Sequence, residues 1–352
     1  MSLEFVHDAL PGRVVFARGA RRRLVDEVTR LGLRRLMVIT SERQLDLARA
    51  LTDGLQDRLA VSFTRVLPHV PDSVAREART LAEEHSVDGL LSVGGGSITG
   101  TAKIVALTSG LPIVSVPTTY AGSELTPVWG MTTGGRKETG RSPMVLPKVV
   151  IYDPQLVEGL PRKVATSSAL NAMAHCIEAL WMSTATPVTT LMALEGVRVL
   201  RQGLDELVTD LTPAAFENLV LGAYLAGASF AVAGSGLHHK ICHALGGAFD
   251  LPHAETHAVV LPHALDFNIV AMRADSATRL TSALGGTDAV ESLRDLYRRV
   301  GAPVSLAGLG LTAEQLRVAI QVVIEKLPIE NPRPVDADAV RAILTAAYRP
   351  KP

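Results

Sequence analysis

Through its first half the chain alternates short apolar runs with charged amphipathic stretches, a rhythm that leaves few folds open. RLMVIT at 35–40 has the composition of a strand buried on both faces, and it leads into an amphipathic stretch through Asp46 to Leu59. VSFTRVL, amphipathic SVAREARTLAEEH, GLLSV, helical TGTAKIVALTSG and LPIVSVPTT continue the alternation, and VVIYDP at 149–154 closes it. Such an order predicts a parallel, Rossmann-like sheet with helices on both faces. From Pro161 onward strand-like alternation gives way to helical segments, among them VATSSALNAMAHCIEALW, TTLMALEGVRVLRQGLDEL and AEQLRVAIQVVIEK. A length of 352 residues suits two domains. We expect an α/β dinucleotide-binding domain over 1–156 and an all-α domain over 157–352.

Two loops of the first domain have ligand chemistry. Gly94, Gly95, Gly96 and Ser97 fall between a strand and a helix start, where bare backbone N–H groups can approach a pyrophosphate; the same glycines could also form only a tight turn. Pro117 to Ser123 again follows a strand and offers the hydroxyls of Thr118, Thr119 and Ser123 at the same sheet edge. Ligands of open α/β sheets bind at the carboxyl ends of the strands, so the two loops reinforce each other.

The second domain holds most of the histidines. His238, His239, His243, His253, His257 and His263 crowd the stretch from Gly234 to His263, and His175 precedes them in NAMAHCIEAL. Imidazole is suited to metal ligation and to proton transfer near neutral pH. His239 and His243 are four apart, as are Asn171 and His175, so each pair shares a helix face. A lone histidine of this kind usually packs in a core; two such pairs with a third element point to a site. His253 follows a proline, which we expect to turn the backbone away from helix.

Charge and composition exclude several classes. Lys+Arg and Asp+Glu both total 35, so no net charge favours nucleic acid or an anionic membrane. Two cysteines, Cys176 and Cys242, exclude a disulfide framework and fit a reducing cytoplasm, with burial as small hydrophobes their expected role. The opening residues show no apolar signal core. Asn218 to Leu237 carries no charge over twenty residues, which reads as a buried central helix rather than a membrane span.

GGGSxxxxAK, PTTYAGSE, PKVVIYDP, the HxxxH of His239 and His243, and PHxxxHxxxLPH ending at His263 together resemble the iron-containing alcohol dehydrogenase family, with its dehydroquinate-synthase-like fold. The resemblance runs from FxxG at Phe16–Gly19 to NPRPV at Asn331–Val335 and includes the thirteen residues between His239 and His253. Within the family, His69–Pro71, GGGSITGTAK, PTTYAGSELTPVWG, GGRKETGR and GLHHKICHALGG resemble the branch that reduces 2-maleylacetate to 3-oxoadipate with NADH or NADPH in the breakdown of aromatic compounds. The resemblance implies a homodimer acting on a small dicarboxylate oxo-acid, with no nucleic-acid or membrane partner.

Metal-dependent members surround a divalent ion with a carboxylate and three histidines, which match position 171, His175, His239 and His253. Here the first is Asn171, and Gly100 stands where aspartate is common. An amide is a poor partner for a divalent ion, so the sequence leads us to expect no metal ligands and no metal requirement. Hydride addition to a conjugated double bond leaves charge on an enolate oxygen, which hydrogen-bond donors can stabilise. This assigns His243 or His253 as proton donor, with His239, His175, Lys240 and Asn171 holding or orienting the oxyanion.

Two substrate carboxylates call for cations, and Arg136, Lys137 and Arg141 form the densest basic group; a solvated loop is the competing account. Tyr120 could close over nicotinamide or simply pack. Lys148 is implied by the family to reach the cofactor ribose. Ser41 follows the strand where NAD-restricted relatives carry aspartate, so both NADH and NADPH are expected. Three alternatives stand beside this reading: a metal-dependent alcohol dehydrogenase of the same fold, a reductase of a related unsaturated oxo-acid, and a degenerate nucleotide-binding regulator.

Overall fold

The structure is a computed structural model that describes residues 5–10, 12–134, 136–209 and 211–349. The described residues form two compact units, one running from Leu10 to Leu160, the other taking residues 161–349 together with residues 5–9. The division falls between Leu160 and Pro161, against the 156/157 expected.

The first unit is built in chain order from β1 (Arg13–Phe16), α1 (Leu24–Arg30), β2 (Leu36–Ile39), α2 (Leu45–Leu51), β3 (Leu59–Phe63), α3 (Asp72–Glu84), β4 (Gly89–Gly94), α4 (Gly96–Ser109), β5 (Ile113–Pro117), β6 (Val128–Thr133), β7 (Arg136–Arg141) and β8 (Val149–Tyr152). The main sheet is parallel with the order β1-β8-β5-β4-β2-β3. Side chains alternate strictly across it. Leu36 and Val38 of β2 face one apolar cluster with Leu24 and Val28 of α1 and Leu51 of α2, while Met37 and Ile39 face another with Val74 of α3 and Val105 of α4. Burial on both faces explains why these strands read as unbroken apolar runs.

From β2 the chain proceeds to its outer neighbour β3, whereas from β4 it proceeds the other way, to β5. The order therefore reverses between β2 and β4, and the crevice beyond their carboxyl ends is the topological switch point where such sheets bind ligands.

β6 and β7 form a separate antiparallel hairpin, with Val128 paired to Arg141 and Trp129 to Gly140. GGRKETGR, read from the sequence as a loop, is therefore largely a strand. Gly140 is required there, because a Cβ on it would come within 2.6 Å of the Trp129 ring.

The second unit is helical: α5 (Arg162–Ala179), α6 (Pro187–Val208), α7 (Pro213–Ala233), α8 (Leu237–Phe249), α9 (His253–Asn268), α10 (Ala274–Leu284), α11 (Ala289–Val300), α12 (Ala313–Ile324) and α13 (Ala337–Tyr348). α5 is buried without a break from Ala165 to Ala179 and packs on α6, α7 and α9, as expected of a helix with no polar face. Thr186 and Thr212 cap α6 and α7, each accepting a hydrogen bond from an N3 backbone N–H, with proline at the first helical position. α7 is the one described helix long and apolar enough to cross a membrane, but most of it is covered by protein. A further apolar cluster joins α8 and α9 to α12 and α13 through Leu245, Val260, Val323 and Leu344.

Candidate active site

In the α/β unit, β4 ends at Gly94 and α4 begins at Gly96, so the helix N-terminus opens directly above the sheet. Gly94 has φ +149°, and a Cβ there would meet Ile98 Cδ1 at 2.1 Å and Gln44 Oε1 at 2.6 Å. Only glycine fits. A Cβ on Gly95 would press on Thr119 at 3.1 Å. This bare turn at a helix start fits a dinucleotide pyrophosphate.

Ser41 lies at the switch point, immediately after Thr40, whose hydroxyl donates to the Val93 carbonyl at 2.9 Å. Gln44 donates to Thr118 Oγ1 at 2.6 Å, tying the turn after β2 to the loop after β5. Ser41, Gly94–Ser97, Thr118, Thr119 and Ser123 thus all follow strands that end at this edge. Lys148 does not. It precedes β8, an exposed residue at the edge where the parallel strands begin.

The loop carrying Thr118, Tyr120 and Ser123 is held from below by a residue the sequence reading left out. Lys103, buried in α4, donates to the carbonyls of Ser123 (2.6 Å), Thr126 (2.8 Å) and Val128 (2.8 Å) and to Thr126 Oγ1 (3.0 Å). Burial pulls its ammonium down to about 7, and the nearby Glu124 carboxyl opposes that fall. Tyr120 is fully buried, which raises its phenol above the usual range. Arg141 is exposed on β7, and the side chains of Arg136 and Lys137 lie outside the described ones.

In the helical unit, α5, α8 and α9 bring six imidazoles together. His175 stacks on His239 with ring centroids 4.9 Å apart, and Phe230 lies against both at 4.6 and 4.5 Å. His257 is 4.6 Å from His239 and 4.4 Å from His253, and its Nδ1 is 2.9 Å from His238 Nε2. His243 and His253 face each other at 6.2 Å. His253 is exposed and His243 half-buried, whereas His175, His238, His239 and His257 are buried.

Burial is the main reason each buried imidazole stays neutral: it takes His175 down to about 4 and His238 to about 3, and His239 and His257 well below the ordinary value. Pro252 caps α9 and His253 opens it, so the proline starts a helix here instead of excluding one. Lys240 is absent from the group; it is exposed on the outer side of α8. His263 lies two turns beyond the site on α9.

Sequence reasoning missed Glu178. It follows Asn171 and His175 at i+7 and i+3 on α5, in the same stripe, and is wholly buried. Its Oε1 accepts from the backbone N–H groups of His238 (2.9 Å) and His239 (3.4 Å), and its Oε2 bonds His239 Nδ1. Burial pushes this carboxyl upward, and the N–H groups of His239, His238 and Gly236 hold it back.

Several buried polar atoms here have no hydrogen-bond partner: Asn171 Oδ1, His175 Nδ1, His239 Nε2 and His257 Nε2. His238, His239 and His257 offer ligand atoms within 4.8 Å of one another. Neutral imidazole nitrogens and an amide oxygen left unsatisfied in a dry interior form a donor set that fits a ferrous ion.

The chain matches the model described as iron-containing alcohol dehydrogenase over residues 11–154, and that of the C-terminal part of the Fe-containing alcohol dehydrogenase family over 165–348. It is 46% identical over 347 residues to a maleylacetate reductase of Burkholderia cepacia, covering 98% of this chain and 97% of that one. An iron-containing alcohol dehydrogenase of Corynebacterium glutamicum superposes with TM-score 0.93 at 44% identity, covering 99% of this chain and 98% of the other. A maleylacetate reductase of a Rhizobium species gives TM-score 0.92 at 40% identity, covering 98% of each. The family matches point to iron binding and overturn the expectation, drawn from Asn171, that no metal is required. The amide removed one anion, but the unsatisfied donor set and the buried Glu178 carboxyl remain.

Proposed function

We propose a function from one premise: the chain belongs to the iron-containing alcohol dehydrogenase family. Within it, the protein is an NADH- or NADPH-dependent reductase of the carbon–carbon double bond of 2-maleylacetate, giving 3-oxoadipate. The observation that carries this reading is the similarity, along almost its whole length, to the Burkholderia cepacia maleylacetate reductase.

When bound, a reduced nicotinamide would supply hydride, and a ferrous ion held by Asn171, His175, His239 and either His253, the position the family pattern gives, or His257, whose Nε2 is unpartnered, would supply Lewis-acid polarisation of a substrate oxygen. Reduction of an alkene conjugated to a ketone leaves negative charge on the ketone oxygen and then needs one proton on the adjacent carbon. His243 and His253 are the imidazoles of the cluster with solvent access, which suits one of them to hold that proton. Asn171 presents no anion to oppose the developing charge. The Gly94–Gly96 turn binds the pyrophosphate through backbone N–H groups. Ser41 places no carboxylate at the ribose, so both dinucleotides serve; a preference beyond about a hundredfold, roughly 2.7 kcal/mol, would contradict this. Arg136, Lys137 and Arg141 hold a substrate carboxylate.

The reading includes a homodimer in the cytoplasm, within the catabolism of aromatic compounds. Two buried free thiols support a reducing compartment; the dimer and the pathway rest on the family resemblance. The test is NADH consumption by the purified, iron-loaded chain with 2-maleylacetate or with simple aldehydes, and product identification by NMR. Maleylacetate should be consumed faster and yield 3-oxoadipate. Faster turnover of aldehydes would leave an alcohol dehydrogenase.

A further inference from the structure

We propose that Glu178 is the positioning residue that makes His239 a metal ligand: its carboxylate accepts the Nδ1–H of His239 and leaves the Nε2 lone pair aimed into the donor set. The inference rests on the iron-binding reading of the site. Glu178 Oε1 is committed to the first N–H groups of α8, those of His238 and His239, which lack partners within the helix. Oε2 is then the oxygen left for the imidazole, and it bonds Nδ1. In its ionised form the carboxyl has only acceptors to offer, so Nδ1 then donates and Nε2 carries the lone pair; a divalent ion at Nε2 selects that form. That Nε2 is buried and unpartnered, as is the Asn171 oxygen.

The arrangement also replaces what the amide at position 171 removed. A carboxylate bonded behind a ligating imidazole fixes its tautomer and raises its basicity, so negative charge reaches the ion through the ring. The close fit at Gly236, where a Cβ would lie 2.9 Å from Met182 Sδ and 3.5 Å from Glu178 Oε1, keeps the start of α8 against this carboxyl. If Glu178 served only to tie down the start of α8, its bonds to backbone N–H groups would suffice and the imidazole bond would be incidental.

E178Q separates the two roles. The glutamine oxygen can still accept from the backbone N–H groups, but its amide must donate to Nδ1, which forces the proton onto Nε2. Iron-free E178Q should melt near the wild type. Its affinity for Fe²⁺, measured by anaerobic titration and metal analysis, should fall about 10- to 100-fold. In nitrogen-labelled histidine NMR spectra, wild-type protein loaded with diamagnetic Zn²⁺ should keep Nδ1–H on His239 with the metal at Nε2. E178Q should show Nε2–H.

Wild-type affinity in E178Q, or metal at Nδ1 of wild-type His239, would overturn the inference and leave the iron site standing. Wild-type protein that takes up neither ion would overturn the iron site and the inference with it. If E178Q does not fold, the wild-type Zn²⁺ spectrum decides alone.

Discussion

Asn171 faces a site whose other donors are neutral rings, so a carboxylate placed there would add the missing charge next to the ion. N171D should tighten Fe²⁺ binding by about tenfold or more, roughly 1.4 kcal/mol, and slow maleylacetate reduction because an anion then opposes the developing enolate. Anaerobic titration beside steady-state kinetics checks both; unchanged affinity would mean that the amide is not a ligand. At this scale the sequence showed the two (i, i+4) pairs plainly, because helical spacing alone puts Asn171 with His175 and His239 with His243. It did not show Glu178 or His257 as members. Glu178 reads as an ordinary helical acid until the turn of α8 is laid over it. Lys240 misled for the opposite reason: one residue from His239, it is rotated by a quarter turn and more onto the outer face.

Among the elements, the turn from β4 into α4 carries the sharpest constraint. G94A forces a side chain into a positive φ and against Ile98 and Gln44. We expect a loss of about 1–3 kcal/mol in stability and weaker NADH binding, read from melting curves and nicotinamide fluorescence. The hairpin of β6 and β7 carries a second prediction. R136M and R141M, singly or together, should raise KM for the dicarboxylate, lower kcat, or both, by roughly 2–5 kcal/mol in kcat/KM, and leave the NADH Kd unchanged. Wild-type kinetics in all three would make this hairpin a solvated face.

The parallel strands were legible because burial on both faces makes them uniformly apolar. β7 was not: RKETGR holds no apolar residue, and what makes it a strand is pairing with β6 and the fit of Trp129 over Gly140. Pro252 shows the same limit, since a proline reads equally as a stop or as a helix start until its neighbours are placed.

For the molecule as a whole, buried neutral histidine sets the response to acid. Burial first, and the Arg294 charge second, take His263 down to about 4 from 6.5. Between those values the unfolded chain holds a proton that the folded chain lacks, so stability is lost as the pH falls from 6.5 toward 4. H263Q should flatten the plot of unfolding free energy against pH in that window by up to about 1.4 kcal/mol per pH unit. An unchanged slope would place the acid response elsewhere. The two-part plan was legible in the switch of periodicity near Pro161. The allegiance of the first residues was not, because nothing in PheValHis announces a partner so distant.

That allegiance bears on how the protein is made. His7 bonds Thr186 at 3.0 Å, and residues 5–9 belong with the helices. A ribosome adding about 5–20 residues each second will therefore have released the whole sheet before residues 5–9 have their helices to dock against. Residues 5–9 are synthesised before the sheet and can find their place only after it.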